Sequence, residues 1–587
     1  MSCKRNTRRI AALLGLALTA CALSGCASTA EPPAKSAVNS TNTNTNTDTK
    51  ETAAVTLDKE SMFTDRDMEI GYDEENAVVI ALSDDASSCT DSSVTIAGDT
   101  VTISGEGSYL ISGSLSNGQL VIDADESAKL QLVFDNAEIC SASSAALYVK
   151  SADKVFLTLA PGSSNTLSTA SGYVAIDDNT IDAALFAKAD LTINGSGSLT
   201  VSSAEGHGVV CKKDLVITGG SYEITAVQHA LSGKNSVRIA EGTLQLTGGT
   251  DGIHSENTED LEKGFIYVSG GDIHITSQSD GIDGDNTVQI DGGSFAISAK
   301  DDGIHSDSDL IINDGTITVS ESNEGLEGRS ITVSGGDINV TAGDDGINAA
   351  GEGKNSADTS GNFITINGGT LCIDAEGDGI DSNGSLTVNG GEIYVYGPTN
   401  GGNGAIDYEQ NGIITGGTVI AVGSSGMAMN FGSDSTQCSM LVTVAAQPLT
   451  GKVRLTDAEG TLMVSCTPGK SYNSVVISCA GLTEGESYTL TTGETETTVK
   501  MEGTIYGTGD GGFSPQGNGG FPQNGDSGFP QNGDGFSPKD GGRFPQDNGD
   551  FSPKDGNGFS PKNGDDFPQD GNGGFPQGNP PQDSLNK

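Results

Sequence analysis

Six times between residues 251 and 381 the chain repeats a tetrad of acid, glycine, aliphatic residue and side-chain donor. The copies are Asp251-Gly-Ile-His254, Asp280-Gly-Ile-Asp283, Asp302-Gly-Ile-His305, Glu324-Gly-Leu-Glu327, Asp345-Gly-Ile-Asn348 and Asp378-Gly-Ile-Asp381. Their first residues are spaced 29, 22, 22, 21 and 33 apart. Residues 251–385 hold 27 acids against Lys263, Lys300, Arg329 and Lys354, a net charge of −23. Carboxylates gathered this way, with an occasional amide or imidazole, are ligands for hard divalent cations.

Such ligands need elements that bring them together, and a second repeat supplies these. Gly-Gly pairs or near equivalents recur at Gly219, Gly248, Gly270, Gly292, Asp314-Gly315, Gly335, Gly368, Gly390 and Gly416. Short alternating runs flank them, Phe265-Ile-Tyr-Val, Ile331-Thr-Val and Leu386-Thr-Val before and Ile338-Asn-Val or Ile393-Tyr-Val after. These have strand period and composition. Strand, Gly-Gly turn, strand, then a third short strand within about 22 residues describes one rung of a parallel β-helix. Between residues 60 and 440 only Pro161 and Pro398 occur, as paired strands require. The fold expected is all-β, a right-handed parallel β-helix of about fifteen rungs rising about 4.8 Å each, with a small C-terminal β module. Met62 to Tyr72 is the expected N-terminal cap, since a solenoid must close its ends.

In that solenoid the tetrads stack into two columns. His207 and His229 precede Asp251 in the first, and Asp407 follows Asp381 in the second. Two carboxylates 4.8 Å apart repel by roughly 3 kcal/mol at an effective dielectric of 20. A Ca²⁺ midway between them would have bonds near 2.4 Å, inside the usual range of about 2.3–2.6 Å. The calcium ligands expected are therefore Asp251, Asp280, Asp283, Asp302, Glu324, Glu327, Asp345, Asn348, Asp378 and Asp381. The glycine of each tetrad permits positive φ, a bend that would turn positions one and four toward one site. Zinc through His254 and His305 is the lesser alternative, and solvated Asp and Asn turns are another. His274 falls outside both columns.

The whole chain has 587 residues, 84 of them Gly, with 29 Lys plus Arg against 79 Asp plus Glu. A net charge of −50 repels phosphate backbones and excludes nucleic acid as a partner. There is no Trp, so sugar-stacking indole platforms are absent.

The ends read differently. Lys4, Arg5, Arg8 and Arg9 precede an apolar run, Ile10 to Ala20, the order of an export signal. Leu23-Ser24-Gly25-Cys26 resembles the lipobox of bacterial lipoproteins, which implies a signal peptide over 1–25 and lipidation of Cys26 on the outer side of the membrane. Residues 26–60 are a Thr- and Asn-rich disordered linker. Residues 61–440 are the β-helix and 441–506 the small β module. Residues 507–587, with nine Phe recurring every seven or eight positions beside Pro, are a disordered repeat tail. Cys466 and Cys479 could pair within the module; buried free thiols are the alternative.

With these features together, the chain resembles a bacterial surface family, the calcium-dependent carbohydrate-binding β-helix domains whose fold is similar to that of pectate and other polysaccharide lyases. Phe63-Thr-Asp-Arg-Asp, the repeated Asp-Gly-Ile units and the Gly-Gly turns carry the likeness across residues 60–500. The resemblance implies a monomer that binds cellulose or an acidic polysaccharide such as polygalacturonate, with Ca²⁺ in the turns. Ca²⁺ with an open position would bridge protein and sugar carboxylates. For a neutral glycan only Tyr394, Tyr396 and Tyr408 cluster near the acid face. A calcium-assisted lyase would take Lys300 or Arg329 as base, but the face is poor in the basic groups that grip an anionic substrate. A structural adhesin rod is the third class.

Overall fold

In a computed structural model of the chain the described residues are 57–507, apart from 171, 172, 175, 176, 178, 261, 352–360 and 450. The export signal, Cys26, the linker as far as residue 56 and the tail from residue 508 lie outside them. Among the described residues the only helices are Lys59–Ser61 and Asp65–Met68, and none is long and apolar enough to cross a membrane. The protein is all-β.

Each repeat contributes three short strands. Phe265–Val268, Asp272–Ser277 and Ile282–Gly284 pair in parallel with Val288–Ile290, Ser294–Ser298 and Ile304–Ser306 of the next repeat. The first two kinds belong to a 26-stranded sheet and the third to a 14-stranded sheet. Inward-facing Ile266, Val268, Ile273, Ile275 and Ile282 are buried against their equivalents above and below, each contributing about 2 kcal/mol. This stacking fixes the register that the columns depend on. The second sheet begins with the hairpin Val94–Ala97 and Thr100–Ile103, its one antiparallel pair, so thirteen of its fourteen strands stack in parallel where about fifteen rungs are expected.

The glycine column has a different phase from the expected one at a single place. Gly220, Gly242, Gly271, Gly293, Gly315, Gly336, Gly369, Gly391 and Gly417 occupy the corner between the first two strands, with φ between 87° and 130°. Gly242, preceded by Glu241, fills the position given to Gly248, because Ser221 pairs with Thr243. Only the second residue of each pair needs the left-handed backbone.

The expected N-terminal cap is instead a strap along the side. Leu57 N donates to Gln289 Oε1 at 2.7 Å, and Phe63 packs on Tyr267 at 5.9 Å. Arg238 donates to Met62 O, Thr192 to Asp67 Oδ1 and Thr218 to Asp67 O, Arg66 lies over Phe156, and Gln131 donates to Gly71 O. Gln131, Phe156, Thr192, Val216, Arg238, Tyr267 and Gln289 are successive partners in one column. The segment therefore crosses seven repeats on the outer face of the larger sheet. The described residues thus begin inside the expected linker, at Leu57.

At the far end Ser439–Gln447 and Tyr472–Ser478 pair antiparallel, and the latter also pairs with Thr418–Gly423, so they extend the large sheet. Val453–Thr456, Leu462–Cys466, Ser487–Thr492 and Thr495–Lys500 form a separate four-stranded sheet. The expected small module is joined to the stack by shared strands and by a shared cluster holding Tyr396, Ile420, Met440 and Ile477. No disulfide joins Cys466 to Cys479.

Candidate cation-binding face

The six tetrads lie where the chain bends into its third strand, which starts at the aliphatic residue: Ile253, Ile282, Ile304, Leu326, Ile347 and Ile380. Position one precedes the strand and escapes its alternation, while position four points outward from it. Both can thus face one side. The tetrad glycines do not take the expected positive φ. They are required by close approach: a Cβ on Gly325 would lie 2.2 Å from Val340 Cγ1 and 2.4 Å from Gly346 O, and one on Gly379 2.1 Å from Val395 Cγ1. The inward aliphatic of the neighbouring repeat fills the space any side chain would need.

The first column is tied together by its own acids. Asp251 Oδ1 accepts the N–H of Asp280 at 3.1 Å, Asp280 Oδ1 that of Asp302 at 2.7 Å, Asp302 Oδ1 that of Glu324 at 3.2 Å, and Asp345 Oδ1 that of Asp378 at 2.6 Å. One carboxylate oxygen of each is therefore spent on the backbone, which fixes where the other points. In the second column His254 pairs with Asp283 and Asp283 with His305, then Glu327 with Asn348, Asn348 with Asp381 and Asp381 with Asp407.

The structure divides this face into two chemistries. Toward the N-terminus the rings of His207, His229 and His254 stack at 4.8 and 4.1 Å. Asp251 Oδ2 lies 2.7 Å from His229 Nδ1, and Asp283 gives one oxygen to His254 Nδ1 at 2.8 Å and the other to His305 Nδ1 at 2.9 Å. Burial opposes ionisation of Asp283, but the two imidazoles outweigh it and hold the carboxyl below its usual range. Asp251 and Asp283 are thus engaged by histidines, and His229, Asp251 and His254, like Asp280, Asp283 and His305, each bring one donor atom within 4.8 Å of the others.

Toward the C-terminus the donors are oxygen alone. Asp302, Glu324 and Glu327 each offer an oxygen within 4.8 Å of the others, as do Asp345, Asp378 and Asp381. Burial, then carboxylates of adjoining repeats, push Asp345 and Asp381 up to about 7 and Asp378 to about 6, and push Glu327 upward. Asn348, 7% exposed, donates its amide to Glu327 Oε1 at 3.3 Å while its Oδ1 is buried with no hydrogen-bond partner. Crowded, half-buried to buried carboxylates beside an orphaned carbonyl form an oxygen-donor set that fits a hard ion: oxygens up to about 5 Å apart can share one Ca²⁺. Asp301 joins Asp280 and Asp302 in a further group. The doubled acids Asp301-Asp302 and Asp344-Asp345 were the signal for it.

The remaining candidates fall elsewhere. Lys300 is ion-paired with Glu321, and Arg329 Nη2 lies 3.2 Å from Ser308 Oγ and 3.5 Å from Asp309 Oδ1. The three tyrosines do not make one platform. Tyr396, 8% exposed, and Tyr394 pack with the C-terminal cluster, whereas Tyr408 packs on the main core and donates to Asn430 O. His274 is exposed beside Asp272.

A family model described as carbohydrate-binding domain-containing protein matches residues 97–302 and 298–467. A curated relative of that description from Acetivibrio thermocellus is 38% identical over 128 residues, 22% of this chain and 45% of the relative, so the match spans less than half of that protein. A solved structure described as a polysaccharide lyase-like protein from C. thermocellum, a gadolinium derivative, is 33% identical; the match covers 40% of this chain and 96% of that one, with a TM-score of 0.40.

Proposed function

The chain belongs to the family of carbohydrate-binding domain-containing proteins, and from that premise we propose that it holds polysaccharide at the cell surface through calcium ions seated on its acid columns. The observation that carries this is the oxygen-only end of the face, where Asp345, Asp378 and Asp381 converge within 4.8 Å and Asn348 Oδ1 is buried unpaired. Asp302, Glu324 and Glu327 would hold one Ca²⁺, and Asp345, Asp378 and Asp381 another. A bound ion supplies an open coordination position for sugar oxygens. The chain's own residues would position that ion, since Asp302, Asp345 and Asp378 are each fixed through one oxygen by a backbone N–H.

Three strands per repeat, each paired in parallel with its equivalent, support a right-handed parallel β-helix as the winding of the stack. Cys26 is the lipid attachment point, and the monomer stands outside the membrane. The protein acts as a binder rather than a lyase, because Glu321 occupies Lys300 and the groups around Arg329 are Ser308 and Asp309.

Calorimetric titration with CaCl₂, followed by pull-down on insoluble glycans with and without EDTA, tests the reading. We expect heat from calcium and EDTA-sensitive retention, with Asp378→Asn/Asp381→Asn losing one bound ion. Calcium binding without retention of any glycan would leave a structural rod, and no calcium heat at all would overturn the reading.

A further inference from the structure

At the end of the third strand of four successive repeats stands a lysine: Lys150 at the next-to-last position of its strand, and Lys188, Lys212 and Lys234 immediately after theirs. The register is set by Ala187, which pairs with Val149 and with Cys211, and by Cys211, which pairs with Gly233. The backbone confirms it, since Lys188 N donates to Val149 O, Lys212 N to Ala187 O and Lys234 N to Cys211 O. On a chain of net charge −50, four like charges stacked about 4.8 Å apart are a concentrated cationic row. Among the described residues only part of it is neutralised. Lys150 meets Asp123 at 2.7 Å and Lys234 reaches Glu259 at 3.5 Å, while Lys212 lies 5.4 Å above the ring of Phe186.

A cleft of about 440 Å³ opens at the end of the row, lined by Lys212 and Lys234 with Ser232, Asn257 and Thr258, bordered also by Glu256 and Glu259, and reaching His254 at the head of the acid face. Ammonium groups recurring once per repeat match a polymer with one negative charge per residue of similar length. The hydroxyl and amide groups of the cleft match sugar hydroxyls. We infer that the lysine row and its cleft are a calcium-independent subsite for an acidic polysaccharide, laid along the stack so that the same chain runs on to the acid columns. This rests on the polysaccharide-binding reading and deepens it. The expected scarcity of basic groups concerned residues 251–385, and the row lies N-terminal to them. The signal was present as Tyr148-Val-Lys, Phe186-Ala-Lys, Val210-Cys-Lys and Ser232-Gly-Lys.

Affinity electrophoresis of the full chain in detergent, in gels containing polygalacturonate and EDTA, tests it. Retardation is expected, weakening with salt, and Lys188→Gln/Lys212→Gln/Lys234→Gln should lower affinity at least tenfold. Lys129→Gln/Lys452→Gln/Lys500→Gln, with the same charge change elsewhere, should not. Unchanged melting temperature in both variants confirms that the exposed substitutions leave the fold intact. No retardation in EDTA, equal loss in the two variants, or equal retardation by duplex DNA would each overturn the inference. If carboxyl-reduced polymer is still retained in calcium, the polysaccharide-binding reading survives that failure; if no glycan is retained under any condition, both fall.

Discussion

Asp67 Oδ1 lies 2.6 Å from Lys154 Nζ, with the Asp67 side chain only 2% exposed. This ion pair joins the other contacts that clamp the N-terminal strap to the face of the stack. Asp67 also closes a capping box with Thr64 and accepts from Thr192. Burial raises its pKa, but Lys154, Thr192 and Thr64 more than offset that and hold it at about 2. A carboxyl lowered from its ordinary value of 3.8 stabilises the fold above that value and loses the contribution as pH falls toward 2. Hydrogen exchange at Phe63–Met68 should therefore rise between pH 4 and 2, before exchange in the core strands does. Asp67→Asn should free the strap at neutral pH, at a loss of about 2–4 kcal/mol from an unpaired, largely buried lysine. Protection of the strap identical to wild type would show that the ion pair does not hold it.

The close approach of Gly325 to Val340 and Gly346 makes the tetrad glycine irreplaceable on steric grounds. Gly325→Ala should destabilise by about 3 kcal/mol, the range for overpacking a tight interior. Gly71→Ala, with nothing within 4 Å of its added methyl, should stay within about 0.5 kcal/mol. Denaturant melts of the two variants make the comparison.

Stability without divalent cations should fall as pH rises. Asp345, Asp378 and Asp381 have pKa values raised to about 7, 6 and 7 by burial and like charge. A group raised on folding contributes fully below its unfolded pKa, near 4, and loses that contribution as pH climbs through the folded value. Melting temperature in EDTA should thus drop from pH 4.5 to 7.5, and millimolar CaCl₂ should restore it at pH 7.5. A flat profile in EDTA would mean that these carboxylates are not crowded in solution.

His254 is set by its neighbours. Burial lowers its pKa, but the hydrogen bond to Asp283 and the nearby carboxylates of Asp251 and Glu256 outweigh that and raise it. Asp283→Asn should bring it down, read by NMR titration of the imidazole in EDTA. The stabilisation from this pair is complete below the ordinary histidine pKa and fades as pH passes the raised one. An unaltered His254 titration would place the proton elsewhere.

Much of the site was legible in the primary structure. The tetrads and the inward aliphatics share one period, so the pairing of Ile282 with Ile304 carries Asp283 onto His305 without further information. The glycine phase was misread at Gly248 because the extra residues between repeats, Glu256 to Gly264, shift one interval to 29, and a Gly-Gly pair happened to fall near the expected place.

The amino-acid order by itself determined the repeat, its all-β character and the alignment of acids, because neighbouring repeats are joined by local, periodic packing. Tertiary structure decided what aperiodic contacts control. The strap binds Gln289 from 232 residues away, and no periodicity encodes that. The histidines claim Asp251 and Asp283 only because stacked columns bring imidazole and carboxylate within hydrogen-bonding reach. The tyrosines turn into separate clusters because the C-terminal strands fold back over one of them.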